Sequence, residues 1–278
     1  MKIGFNLLLW TTDLDRALLP TLRALKAAGY DGVEVPIFSG DPAHYREVKA
    51  MLDGEGLAST VVAIVQDEAR NPLSATNEAA GVDYLKWLVD CSVALGAEVL
   101  AGPFYQPLGV FSGHPLSDDE WQRLVRTQTA MADHAGAAIT LAVEPLNRFE
   151  CYALNTCERA ARLVQAVNRP NYGYLFDTFH SNIEEQDTIE ALRATLPQVS
   201  HIHISENDRG TPGRGHAPIL PAIAAARAGG YTGWLTVEAF GHALPDIAAA
   251  TRVWRPLFTS ETEVYTEAMA LIRQGLAA

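Results

Sequence analysis

The sequence predicts a (β/α)₈ TIM barrel formed by a single domain, residues 1–278, and three observations point to it. Apolar runs of strand length alternate with segments of helical period eight times along the chain. The first strand continues into Phe5-Asn-Leu-Leu-Leu-Trp10, without the glycine-rich phosphate turn expected at that point of an open doubly wound sheet. Four runs in the second half end in residues that can bind a metal, and a barrel carries its functional side chains at the C-terminal ends of its strands. A chain of 278 residues with 48% hydrophobic content and no compositional break suits one barrel of roughly 250 residues.

The elements follow in order. The first strand is read over residues 2–9 and the first helix over 14–28, with Asp13 as N-cap and Gly29 as stop. A strand over 32–36 leads to a helix over 42–52, and Gly54 and Gly56 separate that helix from a strand over 58–65. An amphipathic helix over 78–95 ends at Gly96 and gives way to a strand over 98–103. The next connection, 104–115, is rich in aromatic residues and glycine and has the length of a lid or binding loop. It is placed over the site, where Phe104, Tyr105 and Phe111 are expected to select among substrates. Helices over 118–135, 157–167, 188–195, 218–228 and 261–274 alternate with strands over 139–146, 172–178, 201–205 and 234–240 to complete eight of each.

Glu144, Asp177, His203 and Glu238 fall near the ends of the last four strands. Alternate side chains of a barrel strand face the interior, and Ala142/Glu144, Leu175/Asp177, His201/His203 and Thr236/Glu238 share that parity. One such residue is commonly just a solvated strand end; four on consecutive strands form a constellation. His203 is nearer the rim than His201 and is taken as the ligand, leaving His201 as a hydrogen-bonded interior histidine. Two Glu, one Asp and one His make a hard, mostly oxygen donor set that suits Mn²⁺ or Mg²⁺ and leaves positions for a substrate with adjacent oxygens. Glu150, His180 and Arg209 stand six, three and six residues beyond Glu144, Asp177 and His203, in the loop layer where a bound sugar could reach them. The run Gly210-Thr-Pro-Gly-Arg-Gly-His216 lacks the Gly-Lys-Ser/Thr ending of a phosphate cradle and reads as a tight turn that holds Arg209.

These motifs, Glu144-Pro-Leu-Asn-Arg-Phe-Glu150, Asp177-Thr-Phe-His180, His201-Ile-His-Ile-Ser-Glu-Asn-Asp-Arg209 with Pro212-Gly-Arg-Gly215, and Val237-Glu238-Ala-Phe240, resemble the D-tagatose/D-allulose 3-epimerase family of the xylose-isomerase-like barrels. The resemblance covers most of the second half by motif and the first half in outline. It implies a Mn²⁺ site, with Mg²⁺ or Co²⁺ able to substitute, formed by Glu144, Asp177, His203 and Glu238. It implies further that Glu144 and Glu238 are the acid/base pair and that Glu150, His180 and Arg209 bind the sugar. The implied reaction is interconversion of the C3 epimers of a free ketose, of the D-fructose/D-allulose, D-tagatose/D-sorbose or L-ribulose/L-xylulose type. Inversion requires carboxyl groups on both faces of a flat intermediate, a demand that the fifth and eighth strands meet. An aldose–ketose isomerase, or a 3-keto-glycoside epimerase or lyase of the same superfamily, is the alternative.

Composition narrows the partners. With 21 basic and 33 acidic residues the net charge is −12, which argues against a nucleic-acid groove, an apurinic endonuclease of this barrel included, and against an anionic membrane surface. No apolar run reaches the ~18 residues of a membrane span, and Met1-Lys2 leads straight into the first strand, so a cytoplasmic enzyme is expected. Cys91, Cys151 and Cys157 have no CxxC spacing and are read as idle thiols. Barrels of this type commonly pair, so a homodimer or homotetramer is expected.

Overall fold

Eight runs rich in β-branched and aromatic residues form parallel strands: β1 (Lys2–Asn6), β2 (Gly32–Pro36), β3 (Ala58–Val62), β4 (Val99–Gly102), β5 (Thr140–Val143), β6 (Tyr172–Asp177), β7 (Val199–Ile204) and β8 (Trp234–Val237). Each pairs with the next and β8 returns to β1, so the sheet closes in chain order into the expected (β/α)₈ barrel. The structure is a computed structural model describing residues 1–277; Ala278, the last residue of the expected domain, lies outside the described residues. No helix among the described residues is long and apolar enough to cross a membrane.

Among the described residues ten α-helices surround the sheet: α1 (Leu19–Ala28), α2 (Pro42–Gly54), α3 (Glu78–Leu95), α4 (Asp118–Ala135), α5 (Cys157–Val167), α6 (Thr178–Glu184), α7 (Thr188–Thr195), α8 (Ile219–Ala228), α9 (Pro245–Thr251) and α10 (Glu261–Ala277). Eight are the expected ones; the short α6, which starts directly after β6, and α9, which β8 reaches through residues 238–244, are additional. The helices bury one face against the sheet: Leu85, Leu88 and Leu95 of α3 and Leu124 and Met131 of α4 are at most 1% exposed. Burying each such side chain stabilises the fold by about 1.5–3 kcal/mol. Local chemistry fixes the helix ends. Ser117 and Glu120 form a reciprocal capping box at the start of α4, with the Ser117 amide donating to Glu120 at 2.8 Å.

Several expected boundaries move: β3, β5 and β8 stop short of residues 65, 146 and 240, and α2 and α10 run on to 54 and 277. The first strand stops at Asn6, whose side-chain oxygen accepts from the Leu8 amide at 2.9 Å and turns Leu7–Leu9 into a 3₁₀ turn. The first helix begins later than residue 14, because Asp15, not Asp13, caps the turn before it by accepting from the Ala17 amide at 2.8 Å.

Inside the barrel the lower layer is apolar. Val99, Ala101, Ala142 and Leu175 cluster with Trp234, whose ring crosses the floor and whose Nε1 donates to Glu98 at 3.0 Å. Glycine at position 32 makes room for that ring: a Cβ there would stand 2.7 Å from the indole and 2.3 Å from the Ala58 carbonyl oxygen. Above this floor the interior turns polar.

Candidate active site at the barrel rim

Parity places the four expected ligands on one layer of the interior. Glu144 follows β5, Asp177 closes β6, His203 lies in β7 and Glu238 follows β8, all at most 5% exposed. The ladder extends to both glutamates, since the Glu144 amide donates to the Gly102 carbonyl at 3.0 Å and the Glu238 amide to that of Ile204 at 3.1 Å. Nδ1 of His203 stands 3.5 Å from Glu238 Oε1, 3.6 Å from Asp177 Oδ2 and 4.0 Å from Glu144 Oε1. Neither that Nδ1 nor Asp177 Oδ2 has a hydrogen-bond partner, although both are buried. Buried polar atoms without partners are uncommon and call for an explanation.

Asp177 shows how the local sequence aims its oxygen. Its Oδ1 caps α6, accepting from the amides of Phe179 and His180 at 2.5 and 3.0 Å, so Oδ2 is left pointing inward. The same cap starts the short helix that carries His180 over the site. Nδ1 of His180 accepts from the Asn147 amide at 3.0 Å, so the neutral ring bears its proton on Nε2. That nitrogen is 3.7 Å from Glu144 Oε1 and 2.9 Å from Arg209 Nη2. Two donors thus stand side by side at the cavity wall.

Arg209 is clamped from all sides. Its guanidinium bonds Glu238 and the Ser205 hydroxyl, and it lies 3.8 Å from the centre of the Phe179 ring. Its backbone sits at φ 66°, a left-handed conformation held by its amide bond to the Glu206 carbonyl at 2.9 Å. That conformation costs a non-glycine residue on the order of 1–2 kcal/mol, and such strain gathers at functional sites. The Gly210–His216 run is the expected tight turn: Glu206 accepts from the amides of Gly213 and Ala217, each at 2.8 Å.

The charges do not share one fate. Burial pushes the Glu144 carboxyl well above its ordinary pKa, helped by the nearby Glu238 and Asp177 carboxylates and opposed by His203. Burial likewise raises Glu238, to about 7, against the pull of His203 and Arg209. Asp177 is held below its usual range, because contact with His203 and the charges of His180 and Arg209 outweigh burial. His180 falls to about 4 through burial and the Arg209 charge. Two carboxyl groups poised high beside one kept ionised make a set suited to proton transfer.

A cavity of about 80 Å³ opens above this layer. Glu144, Glu150, His180, Arg209 and Glu238 form its polar side; Leu8, Phe38, Ile64 and Leu108 face them, and Ile247 and Thr251 of α9 lie across the top. A larger hollow of about 760 Å³ surrounds Arg193, Gly229 and Trp234 at the opposite face, away from the buried carboxylates.

The xylose isomerase-like TIM barrel family matches residues 22–274 of the chain. A ketose 3-epimerase of Arthrobacter globiformis is 30% identical over 285 residues, covering 100% of this chain and 98% of the relative. A probable ketose 3-epimerase of Synechocystis sp. is 30% identical over 280 residues, covering 99% and 96%. The crystal structure of a D-allulose 3-epimerase from Methylomonas sp. with D-allulose superposes with a TM-score of 0.90 at 27% identity, over 99% of this chain and 96% of the other. The chain belongs to the ketose 3-epimerase family.

Within this family member the structure brings all seven expected site residues together, with Glu150 at the cavity edge accepting from Asn147 Nδ2 at 2.8 Å. His201 is interior and fully buried, as expected, but it contacts Glu34 at 2.9 Å without an aligned hydrogen bond. The aromatic loop is placed differently from its expectation. Phe104 and Tyr105 are fully buried in the layer between sheet and helices, where the Tyr105 hydroxyl meets Cys151 Sγ at 3.1 Å, and Phe111 is half-exposed. Only Leu108 of that loop reaches the cavity. Sequence reasoning also passed over Glu34 and Asn6, both buried inside the barrel beside the four expected ligands. A signal was present: Glu34 is the one charged residue of β2 and shares the interior parity of Gly32.

Proposed function

We propose that the chain is a divalent-metal-dependent ketose 3-epimerase that inverts C3 of a free ketose, with Glu144, Asp177, His203 and Glu238 holding Mn²⁺, or Mg²⁺ or Co²⁺ in its place. The observation that carries the reading is the pair of buried, unpartnered atoms, Asp177 Oδ2 and His203 Nδ1, flanked by two further carboxylates. A hard, mostly oxygen donor set turned on one point fits a divalent ion, and that ion supplies Lewis-acid polarisation of the C2 carbonyl next to the reacting carbon.

The chain's own residues do the rest. Glu144 and Glu238 stand on β5 and β8, and the proposal assigns each to one face of C3: one carboxylate removes the proton and the other returns a proton to the opposite face. Burial raises the pKa of both carboxyl groups in the metal-free protein, and beside a bound cation both would return toward the ionised, proton-accepting form. His180 Nε2 and Arg209 Nη2 stand 2.9 Å apart at the cavity wall, and a substrate oxygen beside them would accept from both. Glu150 binds a hydroxyl at the cavity edge. The apolar wall opposite excludes water from the intermediate. The relatives' activities on ketoses support this substrate class. We further propose a cytoplasmic homodimer or homotetramer; the buried free thiols and the exposed Phe149 and Trp254 side chains support that reading, and light scattering tests the assembly.

The deciding experiment incubates metal-loaded protein in D₂O with paired ketoses: D-fructose and D-allulose, D-tagatose and D-sorbose, L-ribulose and L-xylulose. Epimer formation with deuterium at C3 is expected. Deuterium only at C1 or C2, with aldose formed, would replace the epimerase by an isomerase.

A further inference from the structure

Glu34 is a fully buried carboxylate that does not line the cavity, and its two oxygens meet four polar side chains. Its Oε1 lies 2.8 Å from His203 Nε2 and accepts from Asn6 Nδ2 at 3.1 Å. Its Oε2 accepts from Thr60 Oγ1 at 3.1 Å and lies 2.9 Å from His201 Nε2. Asn6 Nδ2 donates equally to Glu238 Oε1 at 3.1 Å, and Asn6 cannot turn away, because its own oxygen is held by the Leu8 amide. A carboxylate buried only for packing would be costly where an apolar side chain of similar size would fill the space.

We infer that Glu34 is the positioning residue of the metal site. By accepting the Nε2 proton of His203 it turns the Nδ1 lone pair toward Asp177, Glu144 and Glu238, and through Asn6 it ties the orientation of Glu238 to the same carboxylate. A neutral imidazole carries one proton, and the acceptor on one nitrogen determines which nitrogen is free to bind a metal. The fourfold contact of Glu34 leaves it one rotamer, so one side chain beneath the site orients two of the residues above it. This inference rests on the reading of Glu144, Asp177, His203 and Glu238 as the metal-holding set.

The test compares the parent with Glu34→Gln and Glu34→Asp. Mn²⁺ is titrated into metal-free protein by calorimetry, and the His203 ring N–H resonance is followed in Mg²⁺-loaded protein, assigned by its loss in His203→Gln. In the parent that resonance is expected downfield and slow to exchange. In Glu34→Gln it should move upfield, with Mn²⁺ affinity reduced about 10–100-fold while circular dichroism stays native. Glu34→Asp, which keeps the charge but draws the oxygen back, should fall between the two. If Glu34→Gln does not fold, Glu34→Asp decides alone, and parental Mn²⁺ affinity in it would overturn the inference. Parental affinity in a folded Glu34→Gln would do the same. A parent that binds no divalent ion would instead remove the metal reading, and the His203 resonance of metal-free protein would then still report whether Glu34 holds that ring.

Discussion

The two ends of the barrel interior are built on opposite principles. At the floor, Trp234, Val99, Ala101, Ala142 and Leu175 fill the space with apolar atoms, and the one indole N–H has its acceptor on Glu98. At the rim, three carboxylates, two imidazoles and a guanidinium crowd together with two of their atoms unpartnered. β5, β6 and β8 contribute to both ends through Ala142 and Glu144, Leu175 and Asp177, and Trp234 and Glu238, so along these strands the difference lies in side-chain choice and not in backbone. The indole of the floor has its acceptor, whereas from Thr236 Oγ1 and His201 upward to Asp177 Oδ2 and His203 Nδ1 the interior carries buried polar atoms without hydrogen-bond partners. Stability and function are therefore segregated along the barrel axis, and substitutions at the two ends should behave differently.

The largest effect is expected at the rim. Glu144→Gln and Glu238→Gln should each lower the epimerisation rate by about 10²–10⁴-fold, the usual worth of a general acid or base, with metal content retained. Rate and metal stoichiometry must be read on the same samples, because loss of both would indicate collapse of the site instead of lost chemistry. Trp234→Ala should show the reverse pattern: a cost of about 3–5 kcal/mol in denaturant unfolding with metal stoichiometry unchanged. An unaltered midpoint in that variant would dissolve the contrast between the ends.

A finer comparison concerns the metal-free protein. Glu144→Gln removes a group whose ionisation is opposed first by burial and then by the neighbouring carboxylates, so under chelator near neutral pH it should melt higher than the parent. Added metal should stabilise the parent more than the variant, since a ligand that binds only the folded chain shifts the equilibrium by mass action. Calorimetry with and without chelator checks both signs. The smallest effect belongs to the loop after β4. Leu108→Ala should change KM across a ketose panel, whereas Phe111→Ala, half-exposed and away from the cavity, should leave the ranking as it is.

The barrel and the four inward residues were legible because strand parity and strand ends are one-dimensional facts. Glu144, Asp177, His203 and Glu238 each stand two positions from an interior neighbour, and the closed sheet preserves that spacing. α6 was not legible, since its seven residues begin directly at the strand end and Asp177 belongs to both elements as strand residue and N-cap. α9 is equally short. The aromatic loop misled for a different reason: sequence shows that Phe104 and Tyr105 are aromatic, but not whether a ring turns toward the cavity or back between sheet and helices. Glu34 was hidden inside Gly-Val-Glu-Val-Pro, where strand propensity drew attention away from the one charge that the pattern could not explain.

The Trp234 floor also governs traffic. Because Trp234 and its apolar neighbours fill the base of the barrel, nothing passes along the barrel axis, and whatever reacts in the cavity leaves on the rim side from which it came. Two sugars that differ only in the configuration of one carbon would therefore compete for a single doorway in both directions, each excluding the other as it enters. Accumulating product would slow the forward reaction by occupancy well before equilibrium, and neither partner could be drawn through the protein from one side to the other.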